Sequence, residues 1–148
     1  MSEIRSATPA DAETIASFNE AMAVETEGKT LDPATVRAGV RGLFARPEFG
    51  FYVVAEDGGR IVGQLMITFE WSDWRNGVFW WIQSVYVRPE FRGRGVYRAL
   101  HGHVKAMAKN AGSVCGFRLY VEKENAAAQE TYRRLGMHET RYVLYEEP

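Results

Sequence analysis

Cysteine is almost absent from this sequence, and so are long apolar runs and any excess of positive charge. The single cysteine, Cys115, excludes an internal disulfide framework and any metal site built from cysteines. No apolar run approaches the ~20 residues of a membrane span, and "MSEIRSATPAD" lacks the apolar core of a signal peptide. The net charge of -1 gives no general attraction to nucleic acid. We therefore expect a cytoplasmic protein with no metal, membrane or nucleic-acid partner.

The length and composition are those of one soluble domain. A chain of 148 residues with 46% hydrophobic and 25% charged residues can bury a sizeable core. The sequence shows no repeat, low-complexity tract or linker, so we expect a single domain over residues 1–148. Aromatic residues make up 13% of the chain, which fits a well-filled core, an aromatic-lined pocket, or both.

The pattern of apolar residues predicts an α/β fold of the order β-α-α-β-β-β-α-β-α-β. The strand patterns "GFYVVAE", "RIVGQLMITFEW" and "VFWWIQSVYV" are separated by turn signals, which predicts a central antiparallel meander in a mixed sheet. The third is apolar on both faces and should lie inside the sheet. A parallel βαβ crossover follows it. The other predicted strands are "EIRSAT", "CGFRLYVE" and "TRYVLYE", and the helices are "TPADAETIASFNEAMAVE", "DPATVRAGVRGLFAR", "VYRALHGHVKAMAKNAG" and "NAAAQETYRRLG".

Positive charge and glycine are concentrated where the third strand ends and the third helix begins, in "RPEFRGRGVYRAL". Residues 88–109 hold six basic residues and one acidic residue. A helix N-terminus offers free N–H groups, and Gly93 and Gly95 let a phosphate approach them closely. This pattern favours a phosphorylated small-molecule ligand over a merely solvated basic turn. The Rossmann fingerprint fails at its third glycine, where Arg98 stands, and the P-loop pattern is absent.

Two motifs resemble the GNAT N-acetyltransferase family. Arg92-Gly93-Arg94-Gly95-Val96-Tyr97 is similar to its [QR]-x-x-G-x-[GA] signature, with Tyr97 in place of the usual small residue. Downstream, "NAAAQETYRRLGM" resembles N-x-x-A-x-x-x-Y-x-x-x-G-[FM]. The motifs occur in the family's order, and the predicted elements agree with it over nearly the whole chain.

The resemblance implies that acetyl-CoA is the co-substrate and assigns roles to particular residues. Tyr132 is the general acid that protonates the leaving CoA thiolate; without the motif it would be read as a core tyrosine. Backbone amides of residues 92–97 bind the pyrophosphate, β-strand groups bind the pantetheine arm and polarise the thioester carbonyl, and an asparagine also binds the arm. The implied cofactor-binding residues are Val85, Val87, Arg92, Gly93, Arg94, Gly95, Val96, Tyr97 and Asn125.

The residue that removes the amine proton is not at its usual place. Gln83 stands where many family members have a glutamate, and glutamine cannot act as a base, although it could orient a water. Glu70 and Asp73 are the substitutes, and either could instead be an exposed polar residue at a strand end. We take Glu70 as the catalytic base or the amine anchor.

All four tryptophans lie in "FEWSDWRNGVFWW" and admit two interpretations. Together with Glu70 and Asp73 they could enclose a cationic amine, as in the spermidine/spermine branch of the family. Alternatively, they cover the sheet and an oligomer interface. A homodimer is a reasonable expectation for a small enzyme.

The remaining candidates have simpler interpretations. His101 and His103 are two residues apart on one helix, so they cannot form an i,i+4 metal pair, and we expect both to be solvated. Cys115 is expected to be a buried apolar residue.

Three functions remain open from the sequence. The leading one is direct acetyl transfer from acetyl-CoA to a primary amine of a small molecule, peptide or protein. The alternative is a non-catalytic module that binds or senses acyl-CoA. An RNA-binding domain that uses the basic helix ranks last.

Overall fold

The computed structural model describes residues 2–148 and contains one five-stranded mixed sheet with helices packed on both faces. The strands are β1 (Glu3–Ser6), β2 (Gly50–Asp57), β3 (Arg60–Ser72), β4 (Gly77–Val87) and β5 (Val114–Arg118). The helices are α1 (Ala12–Glu27), α2 (Pro33–Ala45), α3 (Val96–Ala111) and α4 (Ala126–Arg134). Single 3-10 turns at Pro9–Asp11 and Pro89–Phe91 lead into α1 and α3.

The sheet order β1-β2-β3-β4-β5 confirms the predicted fold class. The strands β2 to β4 form the predicted antiparallel meander, and β1 pairs with β2 antiparallel. The strand β5 pairs with β4 in parallel after the crossover through α3. The strand β4 lies between β3 and β5, as its two apolar faces predicted. The fifth strand is shorter than "CGFRLYVE" because its pairing with β4 stops at Arg118.

The predicted last strand, "TRYVLYE", is not formed. Residues 137–148 have no helix or strand, and Tyr142, Val143, Leu144 and Tyr145 are between 70% and 92% exposed. Their β propensity shows that this segment can pair, but a strand also needs the edge of another strand. Within residues 2–148, no backbone hydrogen bond joins this segment to β5.

Two apolar clusters hold the helices on the sheet. On one face, Leu100 and Val104 of α3 are fully buried against Leu65 and Ile67 of β3. On the other face, Ile15 and Phe18 of α1 and Val40 of α2 pack on β2 and the end of β4, chiefly on Tyr52, Val54 and Tyr86. Fixing α1 and α3 on opposite faces positions both near the carboxyl end of β4.

The start of α1 depends on a half-buried ion pair. The Asp11 carboxylate accepts hydrogen bonds from the Arg5 guanidinium at 2.8 and 3.1 Å and from the backbone N–H of Thr8 at 2.8 Å. The hydrogen bond from Arg5 is the main cause that lowers the pKa of Asp11, against the opposing effect of its burial. This pair joins β1 to the first turn of the helix.

We expect Asp11→Asn to lower the free energy of unfolding at pH 7 by about 2 kcal/mol, because it removes a charge-assisted hydrogen-bond network. The pKa of Asp11 is lower in the folded state, so the carboxylate stabilises the fold above the unfolded value of about 3.9, and this contribution is lost as the pH falls through the lower folded value. Urea unfolding at pH 7 and near pH 2.5 measures the difference. The control is Asp57→Asn at the β2–β3 turn. An equal destabilisation by Asp11→Asn at both pH values would contradict the linkage.

Candidate functional site

The junction between β4 and α3 presents a row of free backbone N–H groups. Gly93 and Gly95 have φ angles of 76° and 79°, in the left-handed region that favours glycine, and Gly95 is the N-cap of α3. In the described chain, the N–H groups of residues 93–98 make no hydrogen bond. These donors lie at the positive end of the helix dipole, where an anion is stabilised.

Two of the four arginines at this junction stabilise the structure itself. The Arg88 side chain donates to the carbonyl of Ile61 at 2.8 Å and stacks on the Phe18 ring. The Arg92 guanidinium donates to the Val87 carbonyl and to Glu25, both at 2.8 Å. The contacts of Arg88 join this junction to β3 and α1. The contacts of Arg92 hold the turn against the end of β4 and against Glu25.

The other two arginines are free to meet a ligand. Arg94 lies with its guanidinium 5.3 Å from the centre of the Phe91 ring, and Arg98 is exposed on the first turn of α3. Neither forms an ion pair with any carboxylate in residues 2–148. Their charge therefore adds to the helix dipole beside the free N–H groups.

The pairing of β4 with β5 ends before β4 reaches this junction. The two strands pair from Val78 opposite Val114 to Trp81 opposite Arg118, and then β5 ends while β4 continues to Val87. The edge of β4 that faces away from β3 is thus unpaired over residues 82–87, which include Val85 and Val87. One polar group there is already used, because Arg92 holds the Val87 carbonyl.

A β-bulge in β4 marks the middle of this unpaired edge. Ser84 and Val85 both lie opposite Leu65, and Ser84 has a φ of 52°, an uncommon value outside glycine. The fully buried Gln64 amide stabilises the bulge by donating to the Ser84 carbonyl at 3.0 Å and to Asn19 of α1 at 2.9 Å. The bulge turns the Val85 backbone relative to a regular ladder.

The helix α4 contributes Asn125 and Tyr132. Asn125 is its N-cap, and its side-chain oxygen accepts from the N–H of Ala128 at 3.1 Å, which leaves its amide NH₂ as the donor for a ligand. The Tyr132 ring packs edge-on against Tyr97 of α3, with ring centres 5.7 Å apart. Tyr97, which stands where the family pattern has a small residue, therefore packs against Tyr132, the predicted general acid.

The hydroxyl of Tyr132 has no hydrogen-bond partner in the described residues, and its pKa is raised. It makes no hydrogen bond within residues 2–148, and burial raises the pKa of Tyr132. The hydroxyl is therefore protonated at neutral pH and available as a donor.

His101 corrects the expectation of a solvated side chain. It is only 4% exposed and its Nδ1 lies 3.2 Å from the Tyr97 hydroxyl. Burial, and to a lesser degree Lys105, lowers the pKa of His101. The helical pattern could have shown this, because His101 lies three residues before Val104 and seven before Ala108, on the face that packs against the sheet.

Glu70 lies in an ion pair on the face of the sheet that carries α1 and α2. Its Oε1 accepts from the Arg118 guanidinium and from the Trp81 indole, both at 3.0 Å. The predicted substitute for the base therefore has a positive neighbour and one oxygen, Oε2, with no partner in the described chain. Gln83, at the usual glutamate position, donates to the Thr68 hydroxyl at 2.6 Å.

The four tryptophans divide between the two interpretations offered by the sequence. Trp80 is 7% exposed and belongs to the core, and Trp81 binds Glu70. Trp71 and Trp74 are 61% and 87% exposed at the end of the β3–β4 hairpin. Cys115 also differs from expectation, because it is exposed on β5, the last strand of the sheet.

Sequence reasoning missed Gln64, Ser84 and Arg118. Gln64 could have been recognised, because a single glutamine in the apolar run "RIVGQLMITF" is expected to be buried and therefore to need hydrogen-bond partners. The positive φ of Ser84 and the pairing of Arg118 with Glu70 cannot be recognised from the local sequence.

Neither a candidate metal site nor a membrane-spanning helix is present in the part of the chain that the structure describes. Over residues 2–148, no group of three or more histidine, cysteine, aspartate or glutamate side chains is arranged to hold a metal ion. The helices of the same range include none with the length and hydropathy needed to cross a bilayer.

Known proteins resemble this chain in sequence and in structure. An uncharacterized N-acetyltransferase of Methanocaldococcus jannaschii is 36% identical over 102 residues, which are 68% of this chain and 44% of the relative. The chain thus spans less than half the length of this curated relative. A possible acetyltransferase from Clostridium difficile has a solved structure that is 45% identical, with a TM-score of 0.93 over 100% of this chain and 97% of that one.

A more distant structure shares the fold alone. It is a predicted acetyltransferase with acetyl-CoA from Clostridium acetobutylicum, 19% identical, with a TM-score of 0.82 over 99% of this chain and 96% of that one. The model of the acetyltransferase (GNAT) family matches residues 15–137, which is most of the sequence. The chain therefore belongs to the GNAT family of acetyltransferases.

Proposed function

We propose that the chain, as one domain, transfers the acetyl group of acetyl-CoA directly to a primary amine. The observation that carries the proposal is the row of free N–H groups at residues 93–98, which adjoins the unpaired edge of β4. A long ligand with a diphosphate at one end and an amide-rich arm fits this combination of an anion site and a strand edge. Coenzyme A has both parts, and a structural neighbour was solved with acetyl-CoA.

The ligand would lie along the unpaired edge of β4 in one direction. The pyrophosphate accepts hydrogen bonds from the N–H groups that follow Gly93 and Gly95, with Arg94 and Arg98 beside it. The pantetheine arm runs along residues 82–87 of β4 and meets the free amide of Asn125 from the other side. This order brings the thioester to the bulge at Val85, whose N–H would polarise the carbonyl.

The transfer itself requires one nucleophile and one acid. The ammonium first gives one proton to solvent, and the neutral amine nitrogen then attacks the acetyl carbon. The C–N bond forms while the C–S bond breaks, and the electron pair of the C–S bond stays on sulfur. The sulfur takes the proton of Tyr132, the new ammonium loses a proton to solvent, and the tyrosinate regains one. Burial keeps Tyr132 protonated until this moment.

We place the amine near Glu70, as an anchor more than as a base. Arg118 and Trp81 hold the carboxylate in position, and its free Oε2 can accept from an ammonium group. Because Arg118 and Trp81 both bind Oε1, we assign the remaining oxygen to binding a cation and not to removing its proton. A small cationic amine is the acceptor class that this arrangement favours.

For Glu70→Gln we expect KM for the amine to rise about tenfold or more, because an amide replaces the charge that attracts the ammonium. The value of kcat should fall by less than about threefold. Steady-state kinetics with the best amine separates the two constants. Asp73→Asn in the neighbouring loop is the matched control. A large fall in kcat that deepens as the pH is lowered would identify Glu70 as the base instead.

The activity is tested by thiol release from acetyl-CoA with a panel of amines: polyamines, aminoglycosides, amino acids and lysine peptides. Mass spectrometry of the product shows the acetylated amine. Release that depends on an amine and on Tyr132 is expected. Tight binding of acetyl-CoA without release with any amine would instead favour a non-catalytic sensor.

A further inference from the structure

The helix that carries Tyr132 has few contacts with the rest of the protein. None of the residues of α4 is fully buried, and none belongs to either apolar cluster of residues 2–148. Its side chains donate hydrogen bonds only within the helix and to the carbonyls of Glu122 and Lys123 just before it. In the described chain, the packing of Tyr132 against Tyr97 is therefore the one aromatic contact between α4 and the core.

Tyr97 is itself held in place on α3. Its ring packs on the apolar cluster that contains Leu100, and its hydroxyl lies 3.2 Å from Nδ1 of His101, one helical turn later. The His101 ring, almost fully buried, lies in turn 6.4 Å from the ring of Phe117 in β5, measured between ring centres. A row of four rings thus connects the sheet through α3 to Tyr132.

The hydroxyl and the imidazole in this row are both neutral. Burial raises the pKa of Tyr97, with a smaller effect from Tyr132, and burial lowers the pKa of His101, with a smaller effect from Lys105. A neutral pair forms a buried hydrogen bond without the cost of burying a charge, and the imidazole tautomer decides which atom donates. Within residues 2–148 this is the only hydrogen bond of the Tyr97 hydroxyl, so it fixes the orientation of that ring.

The large side chain at position 97 is a property of this chain and not of the shared motif. The family pattern has glycine or alanine there, which would offer no ring to α4. Proton delivery depends on where the acid stands, and a misplacement of ~1 Å can cost about a hundredfold in rate. Because the Tyr132 hydroxyl has no hydrogen bond in the described residues, packing alone sets its position.

We propose that Tyr97, held in place by His101, is a positioning residue for the acetyl transfer. It keeps the Tyr132 ring where the hydroxyl can protonate the CoA sulfur. The inference rests on the proposed function, since that function makes Tyr132 the acid. The side chain of Tyr97 acts through Tyr132, whereas its backbone N–H belongs to the donors for the pyrophosphate. Changes of this side chain should therefore alter kcat and leave the affinity for acetyl-CoA.

Tyr97→Leu removes the ring and keeps both the backbone N–H and an apolar side chain. We expect kcat for amine-dependent thiol release to fall about 10- to 100-fold, with the Kd for acetyl-CoA within about twofold of the wild type. Tyr97→Phe keeps the ring, loses only the hydrogen bond, and should lose less. The control is Tyr52→Leu, which removes a buried tyrosine from the other apolar cluster and should lower the unfolding midpoint without lowering kcat. An unchanged kcat in folded Tyr97→Leu would overturn the proposal.

A double-mutant cycle separates positioning of the acid from general loosening of the fold. If Tyr97 acts through Tyr132, then Tyr97→Leu should cause no further loss of kcat once Tyr132→Phe is present. Losses that multiply in full would contradict the positioning role. The two failures are distinguishable: the proposed acid fails if Tyr132→Phe keeps its activity, and the positioning role alone fails if Tyr132→Phe loses activity and Tyr97→Leu does not.

His101 supplies a second pair of variants. His101→Leu removes the hydrogen bond and fills the buried site with an apolar side chain, whereas His101→Asn keeps an amide that can bind the Tyr97 hydroxyl. We expect kcat to fall about tenfold for His101→Leu and to stay within about threefold of the wild type for His101→Asn. Equal losses in the two variants would show that the hydrogen bond has no part in positioning.

Hydrogen exchange tests the same contact without any substrate. In Tyr97→Leu the backbone amides of α4 should exchange faster than in the wild type, because the helix loses its contact with the core, and those of α1 should not change. Exchange of α4 at the wild-type rate would show that other contacts hold the helix, against the proposal.

Discussion

Tyr132→Phe is expected to lower kcat by about 100- to 10,000-fold, the range for loss of a general acid. The change removes a single oxygen, and the hydroxyl makes no hydrogen bond in the described chain, so the packing against Tyr97 is kept. The affinity for acetyl-CoA should change little, because the phosphate and pantetheine contacts are elsewhere. Thiol release with a saturating amine measures kcat, and calorimetry measures the binding.

The pH profile and a matched variant make this result specific. In the wild type, the raised pKa of Tyr132 keeps the acid protonated through neutral pH, so no loss of kcat from its ionisation should occur below about pH 10. Tyr145→Phe removes a hydroxyl from the most exposed tyrosine, 92% exposed, and should leave kcat unchanged. A fall in kcat of less than about threefold for Tyr132→Phe would assign Tyr132 to the core and not to catalysis.

Gly95→Asp is expected to weaken acetyl-CoA binding by about a hundredfold. The new carboxylate would stand at the N-cap of α3, where the pyrophosphate is proposed to bind. Two unit charges ~5 Å apart repel by about 3 kcal/mol at an effective dielectric constant of ~20, and every 1.4 kcal/mol is about a tenfold change in Kd. Aspartate tolerates the left-handed backbone better than most residues and favours helix N-termini, so the fold should be kept.

The other end of the same helix supplies the control. Gly112 has a φ of 77°, nearly the 79° of Gly95, and a Cβ at either position meets no atom within 4 Å. Gly112→Asp therefore carries the same backbone strain, and its charge lies at the negative end of the helix dipole. It should lower the unfolding midpoint without changing the Kd for acetyl-CoA. Equal effects of both variants on Kd would show that the glycines matter only for folding.

Much of the fold was predictable from local pattern. Asp32 caps α2 by accepting from Thr35, and Gly112 ends α3 in the left-handed conformation, which are common roles of these residue types at helix ends. The two apolar faces of β4 placed it inside the sheet. These features depend on neighbours in sequence, which a pattern records.

The features that the sequence did not reveal depend on contacts between distant residues. "TRYVLYE" has the composition of a strand, but strand formation also requires pairing with another strand, and this segment forms no backbone hydrogen bond to the open edge of β5 in residues 2–148. The bulge at Ser84 depends on the Gln64 amide, which lies 20 residues from Ser84 and 45 residues from its other partner, Asn19, along the chain. The ion pair of Glu70 with Arg118 spans 48 residues.

The candidate site could be predicted in outline because its proposed binding groups belong to the backbone. Gly93 and Gly95 indicated a turn with left-handed backbone and free N–H groups, and both features are present. The roles of Arg88 and Arg92 were harder to separate from those of Arg94 and Arg98, since all four look alike in the sequence. Only the packing shows that the first two bind the protein itself.

Binding of acetyl-CoA at the start of α3 is tested most directly by thermal unfolding with acetyl-CoA, CoA or NADH. At about 100 times Kd, a ligand that binds only the folded chain stabilises it by about 2.7 kcal/mol. This raises the midpoint by roughly 5–10 °C for a chain of this size. We predict this rise with both acetyl-CoA and CoA, its absence with NADH, and its loss in Gly95→Asp. No rise with either CoA species at millimolar concentration would contradict the site and the acetyl transfer built on it.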